Sequence, residues 1–158
     1  MKRIADRLKE LGIELPEVNP PAAHYEPYVQ VGSLLFIAGQ TCKWNGVLQY
    51  AGKVGMEYTV EDAQQAARLC GLNILLHLKN ACNDDLEQVK RCVRIGVFIN
   101  ATDDFSAHAQ VANGVSDLMI SVFGEHGRHV RTTVGTNSLP SQSAVEVEAV
   151  FKVASSDN

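Results

Sequence analysis

Apolar positions along the chain follow two different periods, and the changes of period mark out its elements. Ile4, Leu8 and Leu11 stand four and three residues apart and predict a short helix within Met1–Gly12, with Gly12 just past its end. Leu15–Ala23 holds three prolines, which fix the backbone and remove donors, so it reads as a linker or wrapping arm. Tyr28–Gln40 is rich in Val, Leu, Phe and Ile and predicts two strands turning at Gly32-Ser33, with Leu34–Ile37 buried on both faces. Trp44-Asn45-Gly46 carries a strong hairpin signal.

From about Val60 to Lys79 the period becomes helical. Val60, Ala63, Ala67, Cys70, Ile74 and Leu78 lie on one face, and Thr59-Val60-Glu61-Asp62 is a capping pattern with acids where the helix dipole favours them. Alternation then returns over Val89–Asn100, with Val93, Ile95, Val97 and Ile99 in step. A second long helix is expected over Ser106–Phe123, buried through Ala107, Val111, Val115, Leu118 and Val122 and ended by Gly124. Strands at Val130–Val134 and Ser143–Val153 close the chain. The order is helix, β, β, α, β, α, β, β, without an internal repeat. Two long helices cover one face of such a sheet. The apolar content of Leu34–Ile37 and Val145–Phe151 then calls for a partner on the other face, so a homo-oligomer is expected.

Length changes this picture little: 158 residues fit one domain with a core that needs no metal or disulfide. Lys and Arg number 14 against 18 Asp and Glu, a formal charge of −4 that disfavours non-specific binding to nucleic acid or an anionic membrane. The first residues are charged and amphipathic rather than apolar, and no run reaches the length of a membrane helix. Cys42, Cys70, Cys82 and Cys92 form no C-x-x-C pair and read as reduced, partly buried thiols in a cytoplasmic protein. On its helical face, Cys70 fits a small core residue better than a nucleophile.

Candidate chemistry is sparse. His126-x-x-His129 lies in a Gly-rich turn without a third ligand at suitable spacing, so a solvated loop outweighs a metal site. His77 and His108 fit surface or satisfied core positions, and no phosphate loop or nucleophile elbow occurs. Arg131 and Glu146 are more informative. Arg131 points away from Val130, Thr132 and Val134, while Glu146 and Glu148 share the face opposite Val145, Val147, Ala149 and Phe151. If the two last strands are neighbours, Arg131 and Glu146 come close together. They would then form either a cross-strand ion pair on a wet face, worth under about 1 kcal/mol, or a site in which the arginine fork grips a carboxylate and the glutamate positions a water. The pattern favours the ion pair and composition does not decide.

Several scattered motifs bear on that choice. Glu26-Pro-Tyr-Val-Gln-Val-Gly, Leu35-Phe-Ile-Ala-Gly-Gln, Val111-Ala-Asn, Gly-Arg-His-Val-Arg131 and the closing Ala144-Val-Glu-Val-Glu-Ala-Val together resemble the RidA/YjgF family, in register from about Tyr25 to Val153. Arg131 and Glu146 stand fifteen positions apart, the spacing of that family's carboxylate-binding arginine and strand glutamate.

The resemblance implies a single domain spanning 1–158, with 1–23 as an N-terminal extension, and a chorismate-mutase-like α+β fold with two helices on one face of a mixed sheet. It implies a homotrimer with an inner β-barrel and a cleft at each subunit interface. It also implies hydrolysis of reactive 2-imino and enamine acids, of the 2-aminoacrylate and 2-iminobutyrate class, to 2-oxo acids and ammonia, with no metal and no cofactor. Carried over by position, Arg131 would hold the substrate carboxylate and Glu146 the attacking water. Tyr28, Gly39, Asn113 and Thr133 would line the pocket. The chain departs from the family at Ala38 and Thr133, where a serine and a cysteine are usual, and in its arm and longer closing loop, so the substrate is less fixed than the fold. A non-catalytic trimer that binds a small carboxylic acid would use the same cleft. A ribonuclease or translation-inhibitor role fits the −4 charge and the lack of an aromatic-basic stripe less well.

Overall fold

A computed structural model describes residues 2–17 and 24–155 of the chain. In order, these form helix α1 (Ile4–Glu10), strands β1 (Tyr28–Val31), β2 (Leu34–Thr41), β3 (Lys43–Trp44) and β4 (Val47–Leu48), and helix α2 (Val60–Ala81). Strand β5 (Val89–Asn100), helix α3 (His108–Phe123) and strands β6 (Val130–Thr136) and β7 (Val145–Val153) follow. The patterning anticipated each of these elements. Of the proline-rich arm, residues 18–23 lie outside the described residues.

Local chemistry explains the boundaries. Thr59 accepts from the Asp62 backbone N–H and the Asp62 carboxylate accepts from the Thr59 N–H, a complete capping box at the start of α2. Gly124 ends α3 at φ 61°, where a residue with a Cβ would be strained. Asn45 and Gly46 take the positive φ values that the β3–β4 turn requires.

Five strands form one sheet in the order β1-β2-β7-β5-β6, and β3 and β4 form a separate hairpin. Neighbouring strands run antiparallel except β5 and β6, which are parallel because α3 carries the chain back between them. The last two strands are therefore not neighbours, and the condition under which Arg131 and Glu146 would come together is not met. The α3 crossover places β6 outside β5, and the chain then passes over the end of β5 to enter the sheet as β7.

Helices α2 and α3 cover one face, over a core that includes Ile74, Leu75, Leu78, Ile95, Val97, Val111, Val115 and Phe151. The two helices meet at small residues: a Cβ on Gly114 would lie 2.1 Å from the Gln64 carbonyl oxygen, and one on Gly71 would lie 2.8 Å from Leu118 Cδ2. Helix α1 packs beside α3, where the Arg7 guanidinium donates to the Val122 carbonyl at 3.1 Å. Leu11 does not pack with the half-buried Ile4 and Leu8, since it caps the helix at 46% exposure.

The other sheet face is open. Leu35 and Ile37 are buried, but Leu34 and Phe36 are 38% and 45% exposed, so the segment is not covered on both faces within the chain. Val29, Val31, Val130 and Val134 extend this apolar surface. Along β5, the register shift between Cys92 and Arg94 puts Cys92, rather than Val93, in the core. All four cysteines are free and buried. Among the described residues, no helix is long and apolar enough to cross a membrane.

Candidate functional site

Arg131 stands on the edge strand β6, level with Ile95 of β5. Strand alternation and the parallel register turn both side chains toward the helices, with Val130, Thr132 and Val134 on the open face. Beyond the sheet edge the guanidinium lies along α3. Its Nη1 donates to Asn113 Oδ1 at 2.9 Å and to Ser116 Oγ at 3.0 Å, and Nη2 donates to the Ala109 carbonyl at 3.4 Å. The three acceptors are four and three residues apart, one helix face over two turns.

All of these partners are neutral, and among the described residues no carboxylate lies within ion-pair distance of Arg131. Of the five guanidinium N–H groups, Nε–H and one Nη2–H have no partner among the described residues, an edge suited to a planar carboxylate. Thr133 follows two positions later on the same strand face. Its Oγ1 is buried without a hydrogen-bond partner, the one such side-chain oxygen or nitrogen among the described residues. An orphaned hydroxyl costs stability unless something outside the chain satisfies it.

Glu146 sits elsewhere. On β7 it is level with Phe98 of β5 and Thr41 of β2, on the open face. Its carboxylate occupies the space above Gly39, where an added Cβ would come within 2.5 Å of Oε1. Partial burial, helped by the nearby Glu148 charge, holds this carboxyl above the usual glutamate range. The ion pair on this face joins Arg94 and Glu148 at 3.1 Å. An Arg131–Glu146 pair does not form, because β5 separates the strands and the side chains leave opposite faces.

The sequence candidates therefore fall into separate groups within one chain. Arg131, Asn113 and Thr133 gather at the β6 edge, and Glu146 and Gly39 gather at mid-sheet. Tyr28 belongs to β1, the far edge of the sheet, with its ring centroid 6.3 Å from that of His77. With Ala38, Arg94 and Glu148, it borders a cavity of about 480 Å³.

Two further residues join the Arg131 group that the sequence reading did not place there. Ser116 lies on the buried side of α3, and His129 Nε2 is 2.9 Å from its Oγ. His129 is thus not a member of a solvated loop. Burial pushes its pKa down, outweighing the Gly127 hydrogen bond that raises it, and the Arg131 charge adds to the downward shift. The sequence did hold a signal, since His129 shares the strand parity of Arg131. His126 instead faces the Lys90 carbonyl at 2.6 Å, and no group of three metal-ligating side chains occurs among the described residues. His77 is a satisfied core histidine, 3.2 Å from Gln40 Oε1.

Known proteins share this architecture over nearly the whole chain. Protein TCP17 of Trypanosoma cruzi is 42% identical over 152 residues, covering 96% of this chain and 94% of its own. The crystal structure of Atu1372, a protein of unknown function from Agrobacterium tumefaciens, is 40% identical with a TM-score of 0.87, covering 95% of this chain and 92% of that one. A putative endoribonuclease from Shewanella oneidensis MR-1 is 36% identical with a TM-score of 0.92, covering 96% and 100%. Residues 5–152 match the family described as "YjgF/chorismate mutase-like, putative endoribonuclease". With its mixed sheet, its helices and its sequence in agreement, the chain belongs to the YjgF/chorismate mutase-like family.

Proposed function

We propose that this protein hydrolyses reactive 2-imino acids and their enamine tautomers, the 2-aminoacrylate and 2-iminobutyrate class, to 2-oxo acids and ammonia. The carrying observation is the Arg131 guanidinium, held by neutral partners with Nε–H and one Nη2–H left without a partner among the described residues. Such a cation is prepared for a small planar carboxylate, and a charge-assisted contact of this kind contributes roughly 1.5–3 kcal/mol.

An imine carbon is already electrophilic, so the chemical demand is modest. Water adds to C2 of the protonated imine as Glu146 accepts its proton; Glu146 then gives that proton to the carbinolamine nitrogen and takes up the hydroxyl proton as the C–N bond breaks, leaving the 2-oxo acid and ammonia. The raised Glu146 carboxyl lies nearer the working pH, where a base that must also give back its proton is most effective. Gly39 leaves room for that carboxylate.

The separation of the two groups across the sheet supports an assembly in which Arg131, Asn113 and Thr133 of one copy face Glu146 of another. A homotrimer with an inner barrel supplies such clefts at its subunit interfaces and covers the apolar face around Val29, Phe36 and Val134.

The test is 2-oxo acid release from enzymatically generated 2-aminoacrylate and 2-iminobutyrate. The protein should accelerate it, and Arg131→Ala should lose about 10- to 100-fold or more in kcat/KM while keeping its fold and assembly. Undiminished turnover in a folded Arg131→Ala variant would overturn the role of Arg131. No turnover combined with tight 2-oxo acid binding by the parent would favour a sensor over an enzyme.

A further inference from the structure

The hydrogen bonds around Arg131 continue past the residues that touch it, and their directions follow from the chemistry of each atom. The Gly127 carbonyl can only accept, and His129 Nδ1 lies 2.7 Å from it, so Nδ1 carries a proton. In the neutral ring Nε2 is then a bare acceptor, 2.9 Å from Ser116 Oγ. Arg131 Nη1 can only donate, so Ser116 Oγ accepts from it at 3.0 Å and sends its own hydrogen to His129. One arrangement satisfies the whole chain: Arg131 to Ser116, Ser116 to His129, His129 to Gly127. Burial of His129 beside the Arg131 charge favours the neutral ring that this order requires.

We propose that His129, acting through Ser116, is a positioning residue that fixes the plane of the Arg131 guanidinium and so the direction of its carboxylate-binding edge. This rests on the carboxylate-capture role given to Arg131 above. Asn113 fixes one Nη1 hydrogen and Ser116 the other, and without Ser116 only the Asn113 bond and the longer 3.4 Å contact from Nη2 to the Ala109 carbonyl would resist a twist of the plane. The Ser116 hydroxyl is itself free to rotate, and the bare His129 nitrogen accepts its hydrogen and so fixes its direction.

The experiment combines nitrogen-15 NMR of the full chain with calorimetry using 2-oxobutyrate. The neutral His129 ring should show a protonated Nδ1 and a bare Nε2, and the Arg131 Nη protons should give separate, slowly exchanging signals. Ser116→Ala and His129→Phe should merge those signals through faster guanidinium rotation. They should also weaken 2-oxobutyrate binding about three- to tenfold, the range for one lost hydrogen bond. In turnover the change should fall on KM with kcat held. His129→Gln, whose amide oxygen can accept at the Nε2 position, should restore both readouts, which a merely structural role would not predict. A protonated Nε2 in the neutral ring, or unchanged Arg131 rotation in Ser116→Ala, overturns the proposal. If the parent binds no 2-oxo acid, the role given to Arg131 fails, while the tautomer and rotation measurements still decide the positioning.

Discussion

A methyl group added at Gly39 would meet the end of a flexible side chain, Glu146 Oε1, rather than backbone. The fold can absorb that contact by turning the glutamate aside, but the site cannot. Gly39→Ala should therefore lower kcat by an order of magnitude or more with little change in melting temperature, read by turnover beside thermal unfolding. Glu146→Gln removes the base, and its kcat should fall about 10²–10⁴-fold. Its stability should move the other way. The folded protein holds the Glu146 proton more tightly than the unfolded chain does, so this group's contribution is present in acid and lost as pH rises through the folded-state value. Glu146→Gln should be more stable than its parent at neutral pH, with the gap closing below the ordinary glutamate value, near pH ~4. Denaturant titrations at both ends of that window check the sign.

Between helices α2 and α3, two opposing effects meet at Gly114. Alanine is the better helix former by about 1 kcal/mol, so propensity alone predicts a stabilising Gly114→Ala. The added Cβ would lie 2.1 Å from the Gln64 carbonyl, a backbone atom that cannot step aside without moving α2. Overpacking of this kind costs about 1–3 kcal/mol, so the substitution should lower the melting temperature by several degrees in calorimetry. Elements were the most legible part of the sequence. The capping residues Thr59 and Asp62, the alternation through Ile95, Val97 and Ile99, and the turn glycines act over a few residues, and each shaped the structure as its local pattern implies. Strand order was less legible. The placement of β6 outside β5 depends on how α3 crosses the sheet, and no local pattern in Val130–Val134 records it. The site was legible in part for the same reason: parity correctly turned Arg131 away from Val130, but parity says nothing about which strand lies alongside. Ser116 and His129 escaped because a short hydroxyl in an apolar stripe and a histidine in a Gly-rich turn look ordinary until the helix and strand are brought together.

For the molecule as a whole, the open sheet face is the surface on which the proposed assembly depends. Phe36 is 45% exposed among other apolar residues, a surface that a lone chain would leave to water. Phe36→Lys should shift the sedimenting species toward monomer, and turnover should fall with it if clefts are shared between copies. An active monomer would rule out shared clefts. Because Arg131 and Glu146 leave opposite faces of one sheet, the two defects can be carried on different chains. An Arg131→Ala chain still has its glutamate, and a Glu146→Gln chain still has its arginine. Unfolded together and refolded as a mixture, the two impaired proteins should regain part of the parental rate if the proposed trimer forms, since each mixed trimer would then hold one cleft with both groups intact. Complementation between the two impaired variants would thus show directly that each reaction centre is the property of a pair of chains.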